Sequence, residues 1–205
     1  PCEGQMTMNF HGYDYMLVEI GDQCWFRENL RTLLYQNGDS IQLILGDDEW
    51  SAAEEAAVTY RLDSLQTLTH GYYYNWWAVT SEIGICPTGW RSPSHEDWSD
   101  LEFALGMDSL QAYSLGYSRG MPENIASIML TAGSNASGFS ATGNGYRSET
   151  GAWGNTYSVF WTSDNASNSS GAITRKILGV NNGVTAVLDP MNWGAAVRCI
   201  KEETE

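Results

Sequence analysis

Four cysteines, three histidines and 25 carboxylates are the side chains of this sequence that could do chemistry. The cysteines stand at 2, 24, 86 and 199, and none forms the CxxC pair of a zinc knuckle or a redox motif. An even number at wide spacing fits disulfides in an oxidising compartment. Of the three possible pairings we favour Cys86 with Cys199 and Cys2 with Cys24. The alternative for Cys2 is a free terminal thiol or a bond to a neighbouring chain. His11, His70 and His95 are scattered, with no HxH or HExxH spacing, so a histidine metal centre is not expected. Ser94-His95-Glu96-Asp97 holds the residue types of a catalytic triad, but neighbours on a helix point in different directions. That segment reads as a helix start. Acids beside an aromatic, as in Asp47-Asp48-Glu49-Trp50, could line a sugar cleft, and some pair among 25 will fall at glycosidase separation by chance. A solvated acidic loop is the plainer reading.

The elements that would position these groups follow from pattern. Tyr13 to Ile20 and Gln23 to Phe26 read as strands joined by a Gly21-Asp22 turn. Glu54 to Ala57 suggests a helical turn. Ser94 can cap a helix whose first turn is acidic, with Trp98, Leu101 and Leu105 on one face. A second helix is expected at about 108–117. The Gly-, Ser- and Asn-rich stretch from Gly133 reads as a long ordered loop region, about 133–170. Strands return over 173–180, 184–188 and 194–200. Strands, then helices, then strands imply an α+β domain whose ends meet in one sheet. The expectation is a single domain over 1–205 with an N-terminal arm at about 1–10.

Net charge is −15, with ten Lys and Arg, which argues against nucleic acid or an anionic membrane as partner. No apolar run is long enough to span a bilayer. No basic-then-apolar leader opens the chain, and the expectation is that any export signal has been removed. Nine Trp and eleven Tyr supply rigid contact area, and 21 Gly favour loops over helices.

Five phrases in register are similar to the Fibrobacter succinogenes major paralogous domain, a secreted bacterial family. They are Ile20-Gly21-Asp22-Gln23-Cys24-Trp25 with Glu28-Asn29-Leu30-Arg31; Tyr74-Asn75-Trp76-Trp77-Ala78-Val79 followed by Cys86-Pro87-Thr88-Gly89-Trp90; Ser137-Gly138-Phe139-Ser140-Ala141 with Gly145-Tyr146-Arg147; Phe160-Trp161-Thr162-Ser163; and Val197-Arg198-Cys199-Ile200. The resemblance implies a C-type-lectin-like fold with two helices, mixed antiparallel sheets and long loops, and makes Cys86–Cys199 its long-range disulfide. Two departures stand out. Cys24 replaces a usual apolar residue, and Arg91 a usual His.

Lectin-like folds bind sugar through calcium on a Glu-Pro-Asn or similar triplet. Pro122-Glu123-Asn124 has the wrong order, and Trp161-Thr162-Ser163-Asp164 is a loose echo. The expectation is no cofactor, with a calcium ion held by loop carboxylates as the one option left open. Copper-dependent formylglycine chemistry on this fold needs a second cysteine near Cys199, which is absent. Trp76, Trp77, Trp90, Trp98 and Trp161 read as core. Trp50, Trp153, Tyr157 and Trp193 sit among small polar residues and are the candidate contact surface, together with Asp164, Asn165 and Asn168 of a polar loop. The expected function is a non-catalytic, secreted or cell-surface module for adhesion, ligand binding or self-assembly. Its partner would be a surface protein, a glycan or copies of itself, the N-terminal arm adding to a neighbour's sheet. The alternative is a secreted enzyme acting on polysaccharide.

Overall fold

In the computed structural model, residues 1–61, 64–155, 157–165, 171–179 and 183–203 are described. Strands dominate and the helices are short, so the chain is α+β, as the pattern predicted. No helix among the described residues is long and apolar enough to cross a membrane.

A five-stranded sheet runs in the order Thr7–Phe10, Tyr13–Ile20, Gln23–Phe26, Ile200–Lys201, Trp90–Arg91. The two ends of the chain meet in it, because Ile200 pairs with both Trp25 and Arg91. The first strand is a correction to the expected N-terminal arm. Thr7 to Phe10 pair with Met16 to Tyr13 of their own chain, and Cys2 is bonded to Cys24, so these residues form an edge strand of their own domain rather than a free arm.

A four-stranded antiparallel sheet has the order Ser158–Asn165, Gly171–Ile177, Val184–Pro190, Gly116–Arg119. Its first strand falls inside the expected loop region 133–170. Ser158, Thr162 and Ser163 give it a loop-like composition, yet Ser158 to Thr162 are all buried. Its last strand takes up part of the predicted second helix, of which only Ser109–Ala112 is helical. Three short strands, Gln42–Leu43, Ala57–Thr59 and Tyr73–Tyr74, form a third sheet, and the hairpin Tyr146–Arg147 with Trp153–Gly154 a fourth. The predicted turn at Glu54 to Ala57 is displaced to a helix at Asp47–Ser51.

The segment Gly194 to Ala196 joins three of these sheets. Gly194 bridges Arg147, Ala195 bridges Tyr74, and Ala196 bridges Phe160. Small residues are required there: a Cβ on Gly194 would come within 3.0 Å of the Trp50 ring. Two apolar clusters flank this seam. One gathers Tyr15, Phe26, Tyr74, Trp90 and Trp161. The other is built on Trp25, Trp98, Phe139 and Phe160, whose rings lie 5.2–6.0 Å apart in tilted and edge-on pairs. Trp76 and Trp77 are half-buried, and the other three family-phrase tryptophans are core.

The best helix signal is fulfilled. Helix His95–Ala104 opens on Ser94, whose Oγ accepts from the Asp97 N–H while Asp97 accepts from the Ser94 N–H. Asp97 also takes both guanidinium nitrogens of Arg91. This accounts for the departure at 91: only a forked donor engages both carboxylate oxygens at once. Burial alone would raise the Asp97 pKa, but Arg91 and Ser94 together bring it below the ordinary carboxylate value. The departure at 24 is explained by the bond to Cys2.

Candidate functional site

Both favoured disulfides are present: Cys2–Cys24 with Cα atoms 5.0 Å apart, and Cys86–Cys199 at 5.8 Å. No cysteine is free.

The candidate contact residues separate into three groups. Trp50 is a correction: it is fully buried and cannot be surface. The helix Asp47–Ser51 turns its three acids outward and drives Trp50 inward against the Arg147 guanidinium, 5.0 Å away. Arg147 is itself buried and spends its donors on Ile44 O, Leu45 O, Gly151 O, Thr59 Oγ1 and Asp47 Oδ1, clamping this loop to the 146–154 hairpin. Asp164 and Asn165 lie elsewhere, at the end of strand Ser158–Asn165. Half-buried Asp164 accepts the His95 N–H at the helix start, a positioning role. Asn165 is exposed, and Asn168 lies outside the described residues.

Tyr157 and Trp193 fall in one neighbourhood, organised by a residue not counted among the candidates, while Trp153 packs separately on the other face of the same hairpin. The Tyr146 ring lies parallel to Trp193, with centroids 4.3 Å apart and planes 11° apart, and parallel to Tyr157 at 6.5 Å. Trp153 stands on the partner strand of the same hairpin, edge-on to Tyr73 and under Arg61 at 4.7 Å. All four aromatics are half-buried, and Tyr146, Tyr157 and Trp193 pack against the core cluster.

The chain fixes this ledge at several points. Gly154 opposes Tyr146 in the hairpin, and a Cβ there would sit 2.3 Å from the Tyr146 ring, so only glycine lets the phenol lie flat. Trp193 closes a tight turn with its N–H on Pro190 O, and its indole N–H donates to the Glu149 carboxylate. Lys176 Nζ stands 4.7 Å over the same indole and is held by Asp189, which also accepts from Thr174 Oγ1. Burial, followed by the nearby Tyr157, Asp189 and Glu149, raises the Tyr146 phenol above its usual range, so it stays a neutral donor at physiological pH. The ledge is therefore a stack of half-buried parallel rings, Trp193 between Tyr146 and Lys176, with a carboxylate at the rim. That is equipment for stacking and hydrogen bonding a flat ligand.

Tyr146 was legible only as part of the phrase Gly145-Tyr146-Arg147. Its stacking partner is far away in sequence, and no local spacing announces the pair.

The histidines have separate surroundings. His11 contacts Thr32 Oγ1 and His70 contacts Thr142 Oγ1, each through Nδ1, while His95 begins the long helix. Burial lowers all three pKa values, with Arg61 adding to the effect at His70 and Arg175 at His95. Among the described residues no group of three or more His, Cys, Asp or Glu is arranged to hold a metal ion.

No curated protein and no solved structure matches the chain. The Fibrobacter succinogenes major domain matches residues 18–201, from the second strand of the N-terminal sheet to the strand that closes it. The chain belongs to the Fibrobacter succinogenes major domain family.

Proposed function

We propose that this chain is a non-catalytic, C-type-lectin-like binding module of a secreted or cell-surface bacterial protein, and that the Tyr146–Tyr157–Trp193 ledge is its adhesive contact. The observation that carries the reading is the stack itself. Three rings are held part-exposed by a glycine, a carboxylate and a lysine–aspartate pair, although burying them would stabilise the fold more. Such a surface fits the apolar face of a sugar ring, with the second oxygen of Glu149 at the rim to accept a hydroxyl while the first holds the Trp193 indole. The two disulfides support an oxidising location outside the cell.

The test is binding of the native chain to a panel of soluble bacterial and plant polysaccharides, read by tryptophan fluorescence. A member of the panel is expected to quench the native protein. Trp193→Ala and Tyr146→Ala should each weaken it about tenfold or more, the size expected for losing about 1.4 kcal/mol of stacking. Turnover of any polysaccharide, or binding that survives both substitutions, would defeat the reading.

A further inference from the structure

A second surface lies away from the ledge. Between residues 103 and 121 six large apolar side chains are exposed: Phe103 (53%), Leu110 (83%), Tyr113 (46%), Leu115 (47%), Tyr117 (78%) and Met121 (45%). Phe103 and Tyr113 both line a cleft of about 780 Å³ between the long helix and the sheet where the chain ends meet. Leu110 lies one helical turn before Tyr113, on the same face. Leu115 and Tyr117 lead into Gly116–Arg119, the edge strand of the four-stranded sheet. Exposed large apolar side chains gathered in one stretch of the chain, two of them on one cleft, point to a contact site.

Charge decides what covers it. All ten Lys and Arg side chains are buried or half-buried, and each is engaged by the protein itself. At the cleft, Arg91 is taken by Asp97 and Lys201 by Glu3. Asp22, Asp100, Glu202 and Glu203 also line it; Arg91 feels the charge of Glu202 and Glu203, but the lining holds six carboxylates against two basic side chains. Residues 92–118 contain no Lys or Arg at all. The patch is thus framed by a net negative charge. A second copy would bring the same excess of acids, and its Lys and Arg side chains are already engaged within their own chain, Arg91 by Asp97 even though it is 41% exposed, so it is repelled. Ser118 adopts a left-handed backbone (φ 52°) that interrupts the edge strand, so a partner strand cannot extend the ladder along it. The contact must run through side chains.

We infer that the Phe103–Met121 flank docks a cationic polypeptide segment that also carries apolar side chains, a site distinct from the aromatic ledge. Its Lys or Arg side chains enter the carboxylate-lined cleft, and its apolar residues cover Phe103, Leu110 and Tyr117.

The experiment uses the full chain and three labelled synthetic peptides of equal length: alternating Lys and Leu, all Lys, and alternating Ser and Leu. Fluorescence anisotropy at about 0.15 M salt leaves screening over roughly 8 Å, so long-range attraction is damped. The Lys/Leu peptide should bind at least tenfold tighter than either other. The triple variant Phe103→Ser, Leu110→Ser, Tyr117→Ser alters only exposed positions and no charge, and should weaken that binding at least tenfold. Trp193→Ala should leave it unchanged, which separates this surface from the ledge. Equal binding of Lys/Leu and all-Lys peptides, or full binding by the triple variant, would overturn the inference by showing bulk charge alone. A native homodimer dissolved by the triple variant would overturn it as well, since the occupant would be a second copy.

Discussion

Glu102 and Arg175 are paired at 2.9 Å with neither side chain exposed, and the other oxygen of Glu102 takes Arg119 at 2.7 Å. One buried carboxylate thus holds two buried guanidiniums and ties the long helix to two strands of the four-stranded sheet. Burial lowers the Arg175 pKa, and the Glu102 charge works against that.

Removing that carboxylate leaves two charges in the interior without a counter-ion. Glu102→Gln should therefore cost about 3–5 kcal/mol, the penalty for breaking a buried pair from one side. In a chain of this size the melting temperature should fall by on the order of 10 °C. Asp47→Asn makes the contrast. Asp47 is 68% exposed and its partner Arg147 keeps four other acceptors, so the loss should stay within about 1 kcal/mol. Thermal unfolding of the two variants side by side checks the difference; equal losses would mean the triad is not uncompensated as described.

Gly154→Ala probes the ledge without touching a ring. The added methyl must push Tyr146 off Trp193, because the ring is the first thing it meets. An overpacking cost of about 1–3 kcal/mol is expected, with loss of the near-ultraviolet dichroism of the stack. An unchanged spectrum would show that Tyr146 is not pinned by the hairpin.

Acid should destabilise the fold well above the carboxylate range. His11, His70 and His95 are held below their unfolded value of about 6.5, so above that pH they are neutral in both states and cost nothing. As pH falls through about 6.5, the unfolded chain takes up protons that the fold refuses, and stability declines until the folded values are passed. The depressed Asp97 acts only lower, its contribution being complete above about 3.8. Denaturation midpoints at pH 7.5 and 5.5 should differ in favour of 7.5, and His95→Gln should flatten the difference. A midpoint that rises on acidification would reverse the sign and refute the account.

How far the sequence could be read depended on how local each signal was. The Ser94 cap, the Gly21-Asp22 hairpin and the ordered phrases are contiguous, and each led to the observed feature. Trp50 misled because three acids beside it suggest water, while a single helical turn is too short to show a periodicity that separates its faces. Ser158 to Asn165 looked like loop because a strand buried among neighbours does not alternate in burial. The ledge was half legible. Trp153, Tyr157 and Trp193 were visible as aromatics among small polar residues, but what unites Tyr157 and Trp193 is Tyr146, brought to Trp193 by the bridge from Arg147 to Gly194, and Trp153 is left outside the stack. The flank at 103–121 was hidden in the expectation of a second helix, which would have buried one side of it.

The wiring of the disulfides has a mechanical meaning. Glu3 and Lys201 are paired at 2.7 Å, so the chain enters and leaves at nearly one point. Tension applied between the ends would pass from Cys2 across its bond to Cys24, along the backbone to Cys86, and across the second bond to Cys199. The loop closed by Cys86 and Cys199, 113 residues apart in sequence, hangs off that line and bears no load while the bonds remain oxidised. The aromatic ledge and the apolar flank both lie within it. Pulling on the two ends would therefore leave the segment between Cys86 and Cys199 folded.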